Sequence, residues 1–103
     1  MAEPSKQARY YVVFFDIDYP SIPAAIADAP AALMAHKQRA QAWQEQGKLV
    51  MAGAFQDTPE GRLNSMAVLT SREAAEDFAA GDPFVLSGKV LRWQVREWNN
   101  MLA

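Results

Sequence analysis

Six consecutive residues, Tyr10-Tyr11-Val12-Val13-Phe14-Phe15, are β-branched or aromatic without a break, and Asp16 bounds them. Such side chains crowd a helical turn but pack well on a pleated surface, so the run predicts a β-strand. It is apolar on both faces. Tyr11, Val13 and Phe15 point one way, and Tyr10, Val12 and Phe14 the other. An antiparallel sheet with one wet face alternates between apolar and polar residues. This strand does not, and Leu49 and Met51 likewise oppose an apolar Val50 further along the chain. Both faces of the sheet must therefore be covered.

The remaining elements follow from punctuation and period. Residues 17–31 carry Pro20, Pro23 and Pro30 among small side chains, which predicts a loop with one short helical turn around Ala24–Ala27. Ala31 to Gln46 are good helix formers and Gly47 is a natural stop. At about 100° per residue, Ala32, Leu33, His36, Ala40 and Trp43 share one face of that helix, while Lys37, Gln38, Gln41, Gln44 and Glu45 fall on the wet side. Lys48–Phe55 and Asn64–Thr70 read as strands of a hairpin whose loop holds Asp57, Pro59 and Gly61. Ser71 caps a second helix that runs to about Ala80, with Ala75 and Phe78 inward. Asp82-Pro83 opens a further turn that ends at Gly88, and Lys89–Trp98 is the last strand.

The order β-α-β-β-α-β predicts an α+β, ferredoxin-like fold: one antiparallel sheet with the helices on one face. The simplest cover for the other face is a second copy of the chain, giving a homodimer in which two sheets face each other, a dimeric α+β barrel. The 103 residues allow one domain, residues 10–103, after a polar segment 1–9 that reads as a loose tail. A net charge of −2 argues against nucleic acid as a partner. The absence of Cys removes thiolate metal sites and disulfides. No apolar run approaches the ~20 residues of a membrane span, and residues 1–9 lack a signal-peptide core, so a cytoplasmic location is expected.

Few residues can carry chemistry. His36, the sole histidine, is either a packed amphipathic ring or a working base. Asp82 is explained by its role as a cap before Pro83, yet a cap carboxylate can also accept from an imidazole N–H and fix its tautomer. Ser65, at the start of a strand beside Gly53, could donate to a ligand oxygen or be an ordinary edge residue. Gly53 permits close approach or marks a bulge. Arg92 and Arg96 share one face of the last strand and could meet a carboxylate or serve solvation. Trp43, Trp93 and Trp98 fit core or interface positions. There is no Gly-x-Ser-x-Gly elbow for a hydrolase. Asp16, Asp18 and Asp28 lack metal-loop spacing, so no metal is expected.

From about Tyr10 to Trp98 the chain resembles the YciI-like (YCII-related) family. The resemblance rests on Glu73-Ala74-Ala75, Asp82-Pro83-Phe84 and Gly88, together with His36, Gly47-Lys48-Leu49 leading to Ala52-Gly53, and Ser65. It implies a dimeric α+β barrel with a small pocket between helices and sheet. His36 and Asp82 would be the catalytic pair and Ser65 a third polar residue. Gly53, Phe84 and Arg92 would contact substrate, with no cofactor. The implied chemistry is acid/base proton transfer, by isomerisation or elimination, on a small cyclic or aromatic-derived substrate. Two alternatives stand beside it: a non-catalytic ligand-binding or accessory module, and, by superfamily analogy, a haem protein. The chain departs from the family in having Ala54 where "AGP" is usual, and Ala32, Leu33 and Met34 where an Arg often precedes the His. An anionic substrate would then need a cation from Arg39, Arg62 or Arg92.

Overall fold

The apolar run forms β1 (Arg9–Ile17), an interior strand bonded on both sides in a four-stranded antiparallel sheet of order β2-β3-β1-β4. The computed structural model describes residues 7–103. After β1 come α1 (Ile22–Asp28), α2 (Pro30–Glu45), β2 (Leu49–Ala54), β3 (Leu63–Leu69), α3 (Arg72–Ala80), α4 (Pro83–Leu86) and β4 (Val90–Asn99). This is the expected ferredoxin-like order, with α1 and α4 as additions. Most of the expected tail, residues 1–6, lies outside the described residues. Its last positions are anchored: the Asn100 amide donates to the Ala8 carbonyl (2.8 Å), and the Gln7 side chain donates to the Thr70 carbonyl (2.8 Å).

The main core lies between the sheet and the helices. Val13, Phe15 and Ile17 of β1, with Leu63, Ala67 and Leu69 of β3, meet Ala75, Phe78 and Ala79 of α3. These positions alternate along each strand, and their register pairs Val13 with Ala67 and Phe15 with Ser65, which places Ser65 on the helix side. The opposite face carries its own apolar cluster of Tyr10, Val12 and Val68, with Phe14, Val50 and Met66 packed against it.

Two local differences from the sequence reading have clear causes. The segment read as a loop with one short helical turn around Ala24–Ala27 contains a longer, two-turn helix, α1. Ser21 caps it by accepting from the Ala24 amide (3.3 Å), and Pro23 and Pro30 fall in the first turns of α1 and α2, where an amide hydrogen has no helical partner to lose. In β2, the register shifts between Leu49 and Met51. The bulge puts Met51 opposite Val68, on the outer face with Val50 rather than on the side of Leu49.

Candidate functional site

Helix α2 carries the expected face, but no residue in it is fully buried. The reason lies beneath it. Beyond Leu49, β2 presents only Ala52 and Ala54 on the helix side, too small to fill the space under α2. A cavity of about 320 Å³ results, within the usual range for small-ligand sites. Phe15, Ile17, Leu63 and Ser65 form part of its floor, Ile22, Ala25 and Ile26 of α1 close one side, and Phe84 and Val90 stand at the end.

His36 borders this cavity, and its Nδ1 is hydrogen-bonded to Oδ1 of Asp82. The contact joins two elements 46 residues apart in sequence. Asp82 is only 2% exposed, and its other oxygen, Oδ2, caps α4 by accepting from the amides of Phe84 (2.9 Å) and Val85 (3.4 Å). The cap and the imidazole contact are therefore one arrangement, with one oxygen for each task. A carboxylate oxygen only accepts, so the neutral ring carries its proton on Nδ1, and Nε2 keeps a lone pair. The edges of Phe78 and Phe84 flank the ring at centroid distances of 6.5 and 5.9 Å.

Ser65 and Phe84 both line the cavity; among the described residues the Ser65 hydroxyl has no hydrogen-bond partner. Gly53 reaches the cavity through its backbone. A Cβ there would meet nothing within 4 Å, so close packing inside the chain does not require this glycine. The placement of Arg92 at a substrate is corrected. Arg92 pairs in register with Asp16 on the outer sheet face, and its Nε donates to Asp16 Oδ2 at 2.7 Å, away from the cavity.

Arg39 is also committed elsewhere. Its guanidinium donates to the carbonyls of Phe78 (2.8 Å) and Asp77 (3.0 Å) at the end of α3. Burial pulls its pKa below the ordinary value, against the opposing effect of Asp82 and Asp77. The sequence reading missed Lys37. It lines the cavity with Leu33, His36 and Ala40, the spacing i, i+3, i+4, i+7 of one helical stripe.

Helix α1 is tied down by Tyr19, whose hydroxyl donates to Asp28 Oδ2 at 2.7 Å. That hydrogen bond, then desolvation and the nearby charges of Asp28 and Asp18, raise the Tyr19 pKa above 10.0. Among the described residues, no group of three or more His, Cys, Asp or Glu is placed to hold a metal ion, and no helix is long and apolar enough to cross a membrane.

A model of the YCII-related domain matches residues 14–99. The chain belongs to the YCII-related family. Among solved structures it is similar to 5-chloro-2-hydroxyhydroquinone dehydrochlorinase (TftG) from Burkholderia phenoliruptrix AC1100, in complex with 2,5-dihydroxybenzoquinone. That match has a TM-score of 0.54 and 19% identity, and covers 86% of this chain and 93% of the other. It is also similar to a conserved protein from Methanosarcina mazei Go1 (TM-score 0.55, 10% identity, 92% and 95% covered). A third similar structure is Rv0793 from Mycobacterium tuberculosis (TM-score 0.50, 13% identity, 88% and 93% covered). No curated protein matches the sequence. At these identities the likeness speaks for the fold alone, a ferredoxin-like α+β protomer.

Proposed function

We propose that this YCII-related protein is a small-molecule enzyme in which His36, held by Asp82, moves a proton on a small cyclic or aromatic-derived substrate. One observation carries the reading. The sole histidine of the chain has Nδ1 on a buried carboxylate and lines a mostly apolar cavity of about 320 Å³. Asp82 favours the tautomer whose Nε2 can accept a proton and stabilises the imidazolium that forms. The Ser65 hydroxyl donates to a substrate oxygen, and Phe84 packs against the ring.

In an isomerisation, Nε2 takes a proton from carbon beside a carbonyl and returns it to another carbon. In an elimination, the pair from the broken C–H bond forms a C=C bond as chloride leaves with its own pair. The structurally similar TftG is named for removing hydrogen chloride from a hydroxylated ring. A positioned base contributes about 10²–10⁴-fold, enough for such activated substrates.

The test is chloride release from chlorinated hydroxyhydroquinones, together with deuterium exchange into small cyclic 1,3-diketones, for the parent protein and His36→Ala. Loss of about 10²-fold or more in the variant, with its circular dichroism unchanged, supports the enzyme. Saturable binding of the same rings without chemical change in either protein favours a non-catalytic ligand-binding module.

A second copy of the chain is proposed to cover the outer sheet face. Met51 (61% exposed) and Trp98 (52% exposed) border an apolar groove there, and the buried Tyr10 hydroxyl has no partner among the described residues. Sedimentation should give twice the chain mass, and Trp98→Glu should shift it towards one. A parent protein that sediments as a single chain at micromolar concentration refutes the dimer.

A further inference from the structure

We infer that Lys37 is the anion-recognising residue of this cavity, so that its ligands are small rings bearing an acidic oxygen: a phenolate, enolate or carboxylate. The inference rests on the reading that the cavity holds a ring, and it specifies the class of ring.

Four lining residues carry polar side chains: His36, Lys37, Ser65 and Asp82. Asp82 is used up, with Oδ1 on His36 and Oδ2 on two backbone amides. Among the side chains, a ligand therefore meets an acceptor in Nε2 of His36, a donor in the Lys37 ammonium, and in the Ser65 hydroxyl a group that can donate or accept. This set suits a molecule with one acidic proton and oxygens to accept from both sides. It also suits the anion left once His36 has taken that proton.

Lys37 is the one cation among the lining residues, and among the described residues it has no hydrogen bond or ion pair. The other candidates are placed elsewhere. Arg39 is bound to the end of α3, Arg92 to Asp16, and Arg62 lies outside the lining. Lys48 sits over the Trp43 ring and Lys89 over Tyr19. The stripe of Leu33, His36, Lys37 and Ala40 turns Lys37 towards the same opening as the imidazole, while its long stem keeps the ammonium at the solvated edge. That location leaves the ammonium within reach of a ligand whose ring enters first.

The test uses two probes of one shape, benzoate and benzamide, titrated by amide-resolved NMR into the parent protein, Lys37→Gln and Lys37→Arg. The parent should bind benzoate about fivefold more tightly than benzamide, as a partly exposed charge pair allows. Lys37→Gln should bring the ratio to about one with benzamide binding unchanged, and Lys37→Arg should keep the preference. Raising salt to about 0.5 M should shrink it. A ratio unaltered in Lys37→Gln, or equal binding of both probes to the parent, overturns the role of Lys37 and leaves the ring site standing. Absence of binding by either probe to the parent refutes both.

Discussion

Removing the Asp82 carboxylate tests whether one side chain really joins the cap of α4 to the imidazole. Asp82→Ala deletes the acceptor for the Phe84 and Val85 amides and for His36 Nδ1. Loss of a helix cap costs about 0.5–2 kcal/mol. Loss of the charge-assisted bond to His36, whose side chain is 28% exposed and so partly rehydrated, adds about 1–2 kcal/mol. The sum, about 1.5–4 kcal/mol, corresponds to a fall in Tm of about 6–30 °C for a domain of this size.

Asp82→Asn should behave differently. Its carbonyl oxygen can still cap α4, because Asn is as good a cap as Asp, so the loss should stay near 1 kcal/mol. Thermal unfolding followed by circular dichroism, with urea denaturation as a check, separates the two variants. An Asp82→Ala protein within about 0.5 kcal/mol of the parent refutes the energetic role of this carboxylate. Equal losses for Ala and Asn refute the division of labour between its oxygens.

Two further outcomes follow from contacts around the site. Gly81 has φ −97°, which any residue can adopt, yet a Cβ there would lie 2.6 Å from Arg39 Nη2 and 3.3 Å from the Asp77 carbonyl oxygen. Gly81→Ala should cost about 1–2 kcal/mol by urea denaturation, and that cost should shrink in an Arg39→Ala background, where only the Asp77 oxygen is still crowded; additive losses contradict the contact. The Tyr19–Asp28 bond should give stability that is full below the ordinary phenol value of 10.0. Because the folded-state pKa is raised, this contribution falls as pH climbs from that value through the folded one. The alkaline loss should be smaller in Tyr19→Phe, and identical profiles for the two proteins argue against the bond.

Much of this was legible in the residues. The two-faced apolar run specified a strand with cover needed on both sides. Asp82 before Pro83 specified a cap, and the helical period put His36 on the sheet-facing side of α2. Three things were not legible, each for a physical reason. Pro23 and Pro30 read as breakers because proline is costly inside a helix, whereas here they occupy first turns behind Ser21 and Ala29. The bulge in β2 inserts a residue that strict alternation cannot reveal, so Met51 was assigned to the wrong face. A helical wheel divides wet from dry as though the helix lay on a filled core. Ala52 and Ala54 leave a void instead, and Lys37, at the edge of the stripe, borders it. Arg92 illustrates the limit of facing arguments: its side of β4 became clear only from the pairing with Asp16.

The direct test of the central claim is the tautomer of His36, read from long-range proton–nitrogen NMR correlations on the neutral ring. The geometry requires a protonated Nδ1 and a pyridine-type Nε2 in the parent protein. In Asp82→Asn, where the amide nitrogen faces the ring once the carbonyl oxygen caps α4, the assignment should reverse. A parent spectrum with the proton on Nε2, or one that Asp82→Asn leaves unaltered, would contradict a base oriented by Asp82.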